Sequence, residues 1–210
     1  MKSFSQNQLE RYPIYLKYLH VQKDNGEVYI TASNIAKKLQ LNEELVKKDL
    51  QSIATTSGKP KVGRLIDDLI KDLDNFLGYC NVNDAIIVGV GSLGSAFLKY
   101  DGFASFGLNI LAGFDINPEL IGTSINGKKI FSINKLENLI ERLKVKIAIL
   151  TVPANVANDI SDILVKSGIK AIWNFAPTHL DVSSKIVVEN VNLASSLAKL
   201  SHKLKNKLEK

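Results

Sequence analysis

The sequence predicts an α/β chain made of an N-terminal winged helix-turn-helix and a C-terminal doubly wound parallel sheet, closed by one further helix. Two short amphipathic patterns, followed by a basic loop with Gly and Pro, lie within the first 64 residues. Apolar runs typical of buried strands then alternate with helical patterns. A stripe of leucines ends the chain. These observations predict domains over residues 1–80, 81–191 and 192–210.

The first elements are predicted from apolar spacing. Apolar residues recur at helical spacing over residues 6–21, with Pro13 among them. Because proline suits the first turn of a helix and not its interior, the helix is predicted to begin there. Residues 28–30 form a short β-branched stretch. An amphipathic helix over residues 65–79 leads to the sheet domain, with the boundary between residues 78 and 84.

A helix-turn-helix is predicted over about residues 13–52. Ser33 is placed to cap a helix that ends at Leu39, and Asn42 to cap the following helix. One side of this second helix is apolar, and the other carries Lys47, Lys48 and Gln51. A basic outer face on the second helix is typical of a helix that reads DNA, although a solvated surface also explains two lysines.

The segment after this helix reads as a basic wing. Gly58, Pro60 and Gly63 make it a loop, and its cations are Lys59, Lys61 and Arg64. Such cations suit the negative potential of a DNA groove. The predicted DNA-binding residues are therefore Lys47, Lys48, Gln51, Lys59, Lys61 and Arg64.

Charge is distributed unevenly along the chain. Residues 1–64 carry 11 Lys and Arg against 6 Asp and Glu, a net charge of +5. Residues 65–195 have 11 against 14, a net charge of −3, and residues 196–210 have 5 against 1, a net charge of +4. This pattern predicts a polyanion partner for the first part and a small ligand for the middle, unless the lysines are ordinary surface residues.

A G-x-G-x-x-G motif follows a buried-strand pattern at residues 85–88 and precedes a helical pattern at residues 95–99. Its glycines allow a tight turn, close approach of a pyrophosphate and close packing of helix on strand. A second apolar run, over residues 108–114, ends on Asp115. The carboxylate of Asp115 could accept hydrogen bonds from ribose hydroxyls, and it would repel a 2′-phosphate. The motif predicts a Rossmann-like site for NAD(H), formed by Gly89, Val90, Gly91, Ser92, Leu93, Gly94 and Asp115.

The alternation of strand and helix continues after Asp115. Helices are predicted over residues 136–143 and 154–167, and strands over residues 145–152, 169–173 and 186–188. In such sheets the ligand lies beyond the carboxyl ends of the strands. The strand ends add Ile116, Thr151, Val152, Pro153, Asn174 and Phe175 to the predicted site.

The last helix is predicted to start after Asn192 and carries a leucine stripe at 193, 197, 200, 204 and 208. Such a stripe packs on its own chain or on a second subunit. We favour a homodimer through this helix, because helix-turn-helix proteins usually read two half-sites.

Composition excludes several other classes of protein. The single cysteine, Cys80, excludes an internal disulfide and fits a reducing compartment. No apolar run is long enough to span a membrane, the N-terminus lacks a signal-peptide core, and three scattered histidines give no metal constellation. A cytoplasmic protein is expected.

Taken together, these motifs resemble those of the Rex family of redox-sensing transcriptional repressors, over nearly the whole chain. The motifs that carry the resemblance are Arg11 to Leu19, Lys47 to Leu50, Gly58 to Gly63, Gly89 to Gly94, Tyr100 to Phe103, Phe114-Asp115, Thr151 to Ala154, Gly168 to Lys170 and Asn174 to Pro177. The resemblance implies a homodimer with exchanged C-terminal helices that binds a palindromic operator and releases it when NADH accumulates. It also implies that Tyr100 lies near the nicotinamide, where an apolar site would favour the uncharged ring of NADH.

The chain departs from the family pattern at several positions. Ser52 to Ala54 replace aromatic residues, and Arg64 replaces a tyrosine. An Arg and an Asp that the family pairs between subunits correspond to Lys17 and Asn192, and a neutral Asn cannot form that ion pair.

Two other functions compete with this interpretation. An NAD-dependent dehydrogenase needs a proton donor, for which His179 and Tyr100 are the candidates, but residues 1–80 do not look like a substrate domain. The second competing function is that of a regulatory subunit that binds coenzyme A or NAD and acts through protein contacts. We predict a regulator and not an enzyme.

Overall fold

The computed structural model describes residues 4–80 and 83–209, which form two compact units that divide near residue 81. The domain boundary was predicted between residues 80 and 81. Residues 81 and 82 lie outside the described residues. Each unit has its own hydrophobic core.

The N-terminal unit is a winged helix-turn-helix, as predicted. Its elements are α1 (Gln6–Asp24), β1 (Tyr29–Ile30), α2 (Ala32–Leu39), α3 (Glu43–Ile53), β2 (Arg64–Leu65) and α4 (Ile66–Leu77). Strands β1 and β2 pair antiparallel, and the loop between α3 and β2 forms the wing. The core is closed by side chains of all four helices, with Tyr12, Tyr15, Ile35, Val46 and Leu73 fully buried.

The predicted start of α1 at Pro13 is wrong, because this helix begins at Gln6 and runs through the proline. Ser5 caps it by accepting a hydrogen bond from the N–H of Gln8. Burial of Tyr12 and Tyr15 on either side of Pro13 offsets the loss of one helical hydrogen bond. The carbonyl that loses its donor belongs to Leu9, which is exposed, so water can bind it.

The two predicted helix caps have different outcomes. Asn42 does cap α3, accepting a hydrogen bond from the N–H of Leu45 at 3.1 Å. Ser33 does not cap α2, since Thr31 does so by accepting from the N–H of Asn34 at 3.1 Å. Strand β1 ends at Ile30, so the next residue keeps the extended backbone that a cap requires.

The C-terminal unit is a doubly wound sheet of seven strands in the order β5-β6-β4-β3-β7-β8-β9. All neighbours pair parallel except β5 and β6. The strands are β3 (Asn83–Val88), β4 (Leu108–Asp115), β5 (Ser124–Ile125), β6 (Lys128–Ser132), β7 (Ile147–Leu150), β8 (Ala171–Asn174) and β9 (Val187–Asn190). The helices are α5 (Ser92–Lys99), α6 (Leu136–Leu143), α7 (Ala154–Lys166) and α8 (Leu193–Leu208), with short 3-10 helices at Asp101–Phe106 and Ile133–Lys135.

This sheet buries both of its faces. On β3, Ile86 and Val88 enter a core that also contains residues of α6 and α7, whereas Ile87 enters the core that contains Leu98 of α5. The direction of winding reverses beside β3, because the chain passes from β3 to β4 on one side and continues with β7 on the other. In sheets of this kind a ligand binds at such a reversal, beyond the carboxyl ends of the strands. The fold thus places the end of β3 where a ligand of this architecture binds.

Helix α8 and the β5–β6 hairpin complete the unit. The predicted leucine stripe of α8 is exposed in the single chain, with Leu193, Leu197, Leu200, Leu204 and Leu208 each more than half exposed.

The sequence interpretation missed the hairpin, whose strands of two and five residues meet at a two-residue turn. None of the described helices combines the length and the apolar character that crossing a bilayer requires.

Candidate functional site

The glycine turn at the end of β3 has the geometry that a phosphate cradle requires. Gly89 has φ +92°, and a Cβ there would lie 2.7 Å from the carbonyl oxygen of Thr151. Its N–H donates to the carbonyl of Phe114 at 2.8 Å, and its carbonyl accepts from the Thr151 hydroxyl at 2.6 Å. The turn is therefore fixed by both neighbouring strands, and only glycine fits its first position.

The other two glycines of the motif differ in what surrounds them. A Cβ on Gly94 would overlap the carbonyl oxygen of Gly89, so this glycine lets α5 pack directly against the turn. A Cβ on Gly91 would meet no protein atom within 4 Å. Gly91 lies immediately before the first residue of α5, where helix N–H groups favour an anion. This open space is where a pyrophosphate would approach the backbone.

Asp115 lies against the same turn. Its Oδ2 accepts a hydrogen bond from the N–H of Val90 at 2.6 Å, and its Oδ1 accepts one from the N–H of Asn117 at 2.8 Å. Each carboxylate oxygen retains a further acceptor site. The carboxylate at the end of β4 can therefore bind ribose hydroxyls while it holds the glycine turn in place.

Asn174, by contrast, uses its side chain inside the protein. The residue is 1% exposed. Its amide donates to the Thr178 carbonyl at 2.9 Å and to Asn190 Oδ1 at 2.8 Å, and its oxygen accepts from the Ala176 N–H at 3.0 Å. The sequence analysis places Asn174 among the cofactor-binding residues at the strand ends, and these bonds give its side chain the role of shaping the loop that carries Phe175.

Tyr100 belongs to a group of aromatic rings between α5 and β8. Its ring is 53% exposed and meets Phe103 edge to face, with 4.9 Å between ring centroids. Phe103 contacts Phe97 and Trp173, and these two contact Phe175. The aromatic group consists of Phe97, Tyr100, Phe103, Trp173 and Phe175. It joins the predicted site residues Tyr100 and Phe175 through three residues that were not among the predicted site residues.

The remaining predicted residues follow the strand ends. Ser92, Leu93, Ile116 and Pro153 are exposed, whereas Thr151 and Val152 are half-buried beside the turn. A cavity of about 520 Å³ lies at the ends of β8 and β9, lined by residues 175–179 and 190–194. Of the predicted cofactor residues only Phe175 lines it, and His179, Asn190 and Asn192 are additional. The sequence analysis named His179 only as a candidate proton donor and Asn192 only as a cap and a family departure, and it did not name Asn190.

The wing and the second helix of the helix-turn-helix, with residues 30–32, line an open basic cavity of about 470 Å³. It brings together five of the six predicted DNA-binding residues, namely Lys47, Gln51, Lys59, Lys61 and Arg64, and leaves out Lys48. The wing tip closes on itself, with the Lys59 N–H donating to the Gly63 carbonyl at 2.7 Å. At its base, Asp72 of α4 accepts hydrogen bonds from the N–H and the hydroxyl of Thr55.

Three of the basic side chains already have internal partners. Lys59 Nζ donates to the Tyr29 hydroxyl at 3.2 Å. Lys47 Nζ lies 2.8 Å from Glu44 Oε1 and 3.0 Å from Glu43 Oε1, and the hydrogen bond to Glu44 raises the pKa of Lys47. The guanidinium of Arg64 donates to the Thr56 carbonyl. Because these contacts are exposed, a phosphate can replace them at small cost.

Comparison with known proteins finds a matching family model in each of the two units. Residues 5–51 match the family described as "Putative DNA-binding protein N-terminus", and residues 81–178 match the CoA binding domain family. The redox-sensing transcriptional repressor Rex of Bacteroides fragilis is 41% identical over 196 residues, which cover 93% of this chain and 89% of that protein. The chain belongs to the Rex family of redox-sensing transcriptional repressors.

Solved structures of a Rex-family repressor, RSP, share the whole fold. RSP in complex with β-NAD+ and operator DNA superposes with a TM-score of 0.91, at 32% identity, over 99% of this chain and 95% of that chain. RSP in complex with β-NADH superposes with a TM-score of 0.88 over 99% and 97%. Family membership confirms the predicted fold class and the prediction of a transcriptional regulator in place of an enzyme.

In this Rex-family chain the second helix of the helix-turn-helix is held from beneath by a buried ion pair. Arg11 of α1 donates to both carboxylate oxygens of Asp49, at 2.7 and 2.9 Å, and the Tyr15 hydroxyl donates to the same carboxylate at 2.8 Å. The hydrogen bond to Asp49 raises the pKa of Arg11, and burial raises the pKa of Tyr15. The sequence analysis gave Arg11 and Asp49 only as parts of family motifs. It did not pair them, because Asp49 lies more than 30 residues from both Arg11 and Tyr15 in the sequence.

The two residues at the positions that the family pairs between subunits have different surroundings. Lys17 is exposed on α1. Asn192 caps α8 by accepting a hydrogen bond from the Ser195 N–H at 2.9 Å, and it lines the cavity at the end of β9. Within residues 4–80 and 83–209 there is no cluster of three His, Cys, Asp or Glu side chains that could hold a metal ion.

Proposed function

We propose that this chain works in the cytoplasm as a homodimer, binds palindromic operator DNA and releases it when NADH occupies the glycine turn. One observation carries the proposal. A turn open to a pyrophosphate only at Gly91 and a basic cavity between α3 and the wing occur in the two units of one chain. RSP, a structural relative of this chain, has been solved with β-NAD+ and operator DNA and also with β-NADH.

The proposed NAD(H) site uses each predicted residue according to its surroundings. Residues 89–94 would bind the pyrophosphate, with Thr151 holding the turn and Val152 and Pro153 forming the adjacent wall. Asp115 and the neighbouring Ile116 would contact the adenosine ribose. Tyr100 and Phe175 would flank the nicotinamide. An apolar site around Tyr100 and the strand ends would disfavour the charged ring of NAD+ and so favour NADH, because burying a charge is costly. Asn174 would act through the loop it shapes.

The proposed DNA surface combines the reading helix α3 and the wing. Lys47, Lys48, Lys59, Lys61 and Arg64 would bind phosphates or enter a groove, and Gln51 would read a base edge. The exposed leucine stripe of α8 would form the dimer contact, because five aligned leucines are otherwise left in water. Two basic units in one dimer would then meet successive turns of a palindrome.

The proposal is tested by adding NADH, NAD+ or coenzyme A to protein bound to a palindromic duplex and following fluorescence anisotropy. NADH is expected to lower DNA affinity by a factor of about 5 to 150, and coenzyme A to have no effect. Unchanged DNA affinity at saturating NADH would contradict the proposal. If coenzyme A released the DNA and NADH did not, the ligand would instead be coenzyme A, the nucleotide named by the matching family model.

Asp115→Asn is expected to reduce the preference for NADH over NADPH by about tenfold, because it removes the charge that repels a 2′-phosphate. The amide oxygen still accepts from the Val90 N–H, so the glycine turn is retained. Calorimetric titration of both nucleotides gives the ratio, and DNA affinity without nucleotide serves as the control and should not change. An unaltered ratio would remove Asp115 from the ribose site.

Lys59→Ala combined with Lys61→Ala is expected to weaken binding to operator and random duplexes alike. Each lost phosphate contact should reduce the slope of log K against log salt concentration by about one. Lys23→Ala with Lys71→Ala removes the same charge from α1 and α4, away from the basic cavity, and is the matched control. If both double variants lost DNA affinity equally, the effect would come from net charge alone, and the wing would have no specific role in binding.

A further inference from the structure

The β5–β6 hairpin contacts the chain on both sides of Tyr100. Lys128 Nζ donates to the Leu98 carbonyl at 2.9 Å. Asn126 Nδ2 donates to Asp101 Oδ1 at 2.7 Å and lies 3.4 Å from the Lys99 carbonyl. Two side chains of one hairpin therefore bind the last turn of α5 and the residue directly after Tyr100.

The hairpin is built to present these two side chains. Asn126 and Gly127 form its two-residue turn with φ of +49° and +75°, the left-handed pair that Asn-Gly favours. The turn is set by the pairing of Ile125 with Lys128. On the other side, β6 pairs with β4 up to Asp115 and Ser132. The β5–β6 hairpin is thus paired beside Asp115 at the proposed ribose end and bonded to the segment around Tyr100 at the proposed nicotinamide end.

These contacts also have an electrostatic consequence. The last carbonyls of a helix carry partial negative charge, and an ammonium such as that of Lys128 stabilises them. Asn126 holds the Asp101 carboxylate at the hairpin. If that carboxylate were released beside Tyr100, it would favour the positively charged ring of NAD+ over the neutral ring of NADH.

We infer that Asn126 and Lys128 are positioning residues that fix the Tyr100 segment and thereby set affinity and preference for the reduced nicotinamide. The inference rests on the proposed function, because it takes Tyr100 to lie beside that ring. The residues act through Leu98, Lys99 and Asp101 and need not touch the ligand. ADP, which lacks the nicotinamide, should bind independently of them.

The test uses Asn126→Gly, which retains a turn of positive φ and removes the donor, and Lys128→Met, which removes the ammonium. Calorimetry should show NADH binding weakened by about three- to tenfold in each, a smaller loss for NAD+, and ADP binding unchanged. Asn126→Asp should have the same effect, and combining it with Asp101→Asn should restore NADH affinity by reversing donor and acceptor.

The chain contains a matched control pair. Asn109 Nδ2 donates to Asp84 Oδ1, also at 2.7 Å, near the opposite ends of strands β4 and β3. Asn109→Ala should therefore leave both NADH and ADP affinity unchanged. NADH affinity within twofold of the unmodified chain in Asn126→Gly, or an equal loss for ADP, would overturn the inference while leaving the proposed function intact. Failure of the unmodified chain to bind NADH would overturn both.

Discussion

Gly91→Ala is expected to weaken NADH binding by about ten- to a hundredfold and to leave the unfolding temperature unchanged. A methyl group at this position meets no protein atom within 4 Å, and its backbone φ of −68° is one that alanine adopts freely. The added methyl would occupy the space through which the pyrophosphate reaches the backbone N–H groups. Loss of hydrogen bonds to a charged phosphate accounts for the magnitude.

The neighbouring glycine provides the contrast. Gly94→Ala forces a methyl group against the Gly89 carbonyl and within 3.1 Å of Thr151 Oγ1, so it should lower the free energy of unfolding by about 1–3 kcal/mol and also impair NADH binding. Calorimetric titration and thermal unfolding of both variants separate the two effects. If Gly91→Ala bound NADH as the unmodified chain does, the pyrophosphate would not lie on this turn.

Asp49→Ala is expected to destabilise the N-terminal unit by about 3–5 kcal/mol and to abolish DNA binding. The substitution leaves the guanidinium of Arg11, 17% exposed, and the buried hydroxyl of Tyr15 without their shared acceptor. The same carboxylate fixes α3 on α1, so its loss displaces the helix that carries Lys47 and Gln51. NADH binding by the other unit should persist, because that unit has separate cores.

Urea unfolding followed by circular dichroism measures this loss of stability. The ion pair between Lys23 and Asp67 is the control, since it has a similar length of 2.8 Å but joins side chains that are 55% and 71% exposed. Asp67→Ala should unfold at the same urea concentration as the unmodified chain. Equal effects of the two substitutions would show that the buried pair has no special role in holding the reading helix.

The features predicted correctly from sequence are those set by local chemistry. Asn42 caps α3 because its side chain reaches an N–H three residues later, within one turn. The glycine turn follows from residues 85–94 alone, since a buried strand, three glycines and a helix suffice to specify it. Placement of Asp115 beside it needed only the rule that neighbouring parallel strands end at one edge of the sheet.

Some of the missed features depend on contacts distant in sequence, and others are local. Pro13 could remain inside α1 because the rings of Tyr12 and Tyr15 pack in the core. Asn174 was expected to face the ligand, but periodicity does not show whether a side chain at a strand end turns into the crevice or into its own loop. The β5–β6 hairpin was missed because its strands are only two and five residues long, although Asn126-Gly127 is a strong turn signal. The partners of Lys47 were visible in principle, since Glu43 and Glu44 precede it by four and three residues.

The most direct test of the account is a complete thermodynamic cycle of NADH and operator DNA on the full chain. NADH affinity is measured with and without saturating operator, and operator affinity with and without saturating NADH, at one salt concentration. Because coupling between two ligands is reciprocal, both ratios should equal the same factor of about 5 to 150. Ratios of one would mean that the glycine turn and the basic cavity act independently, which would contradict an NADH-controlled repressor.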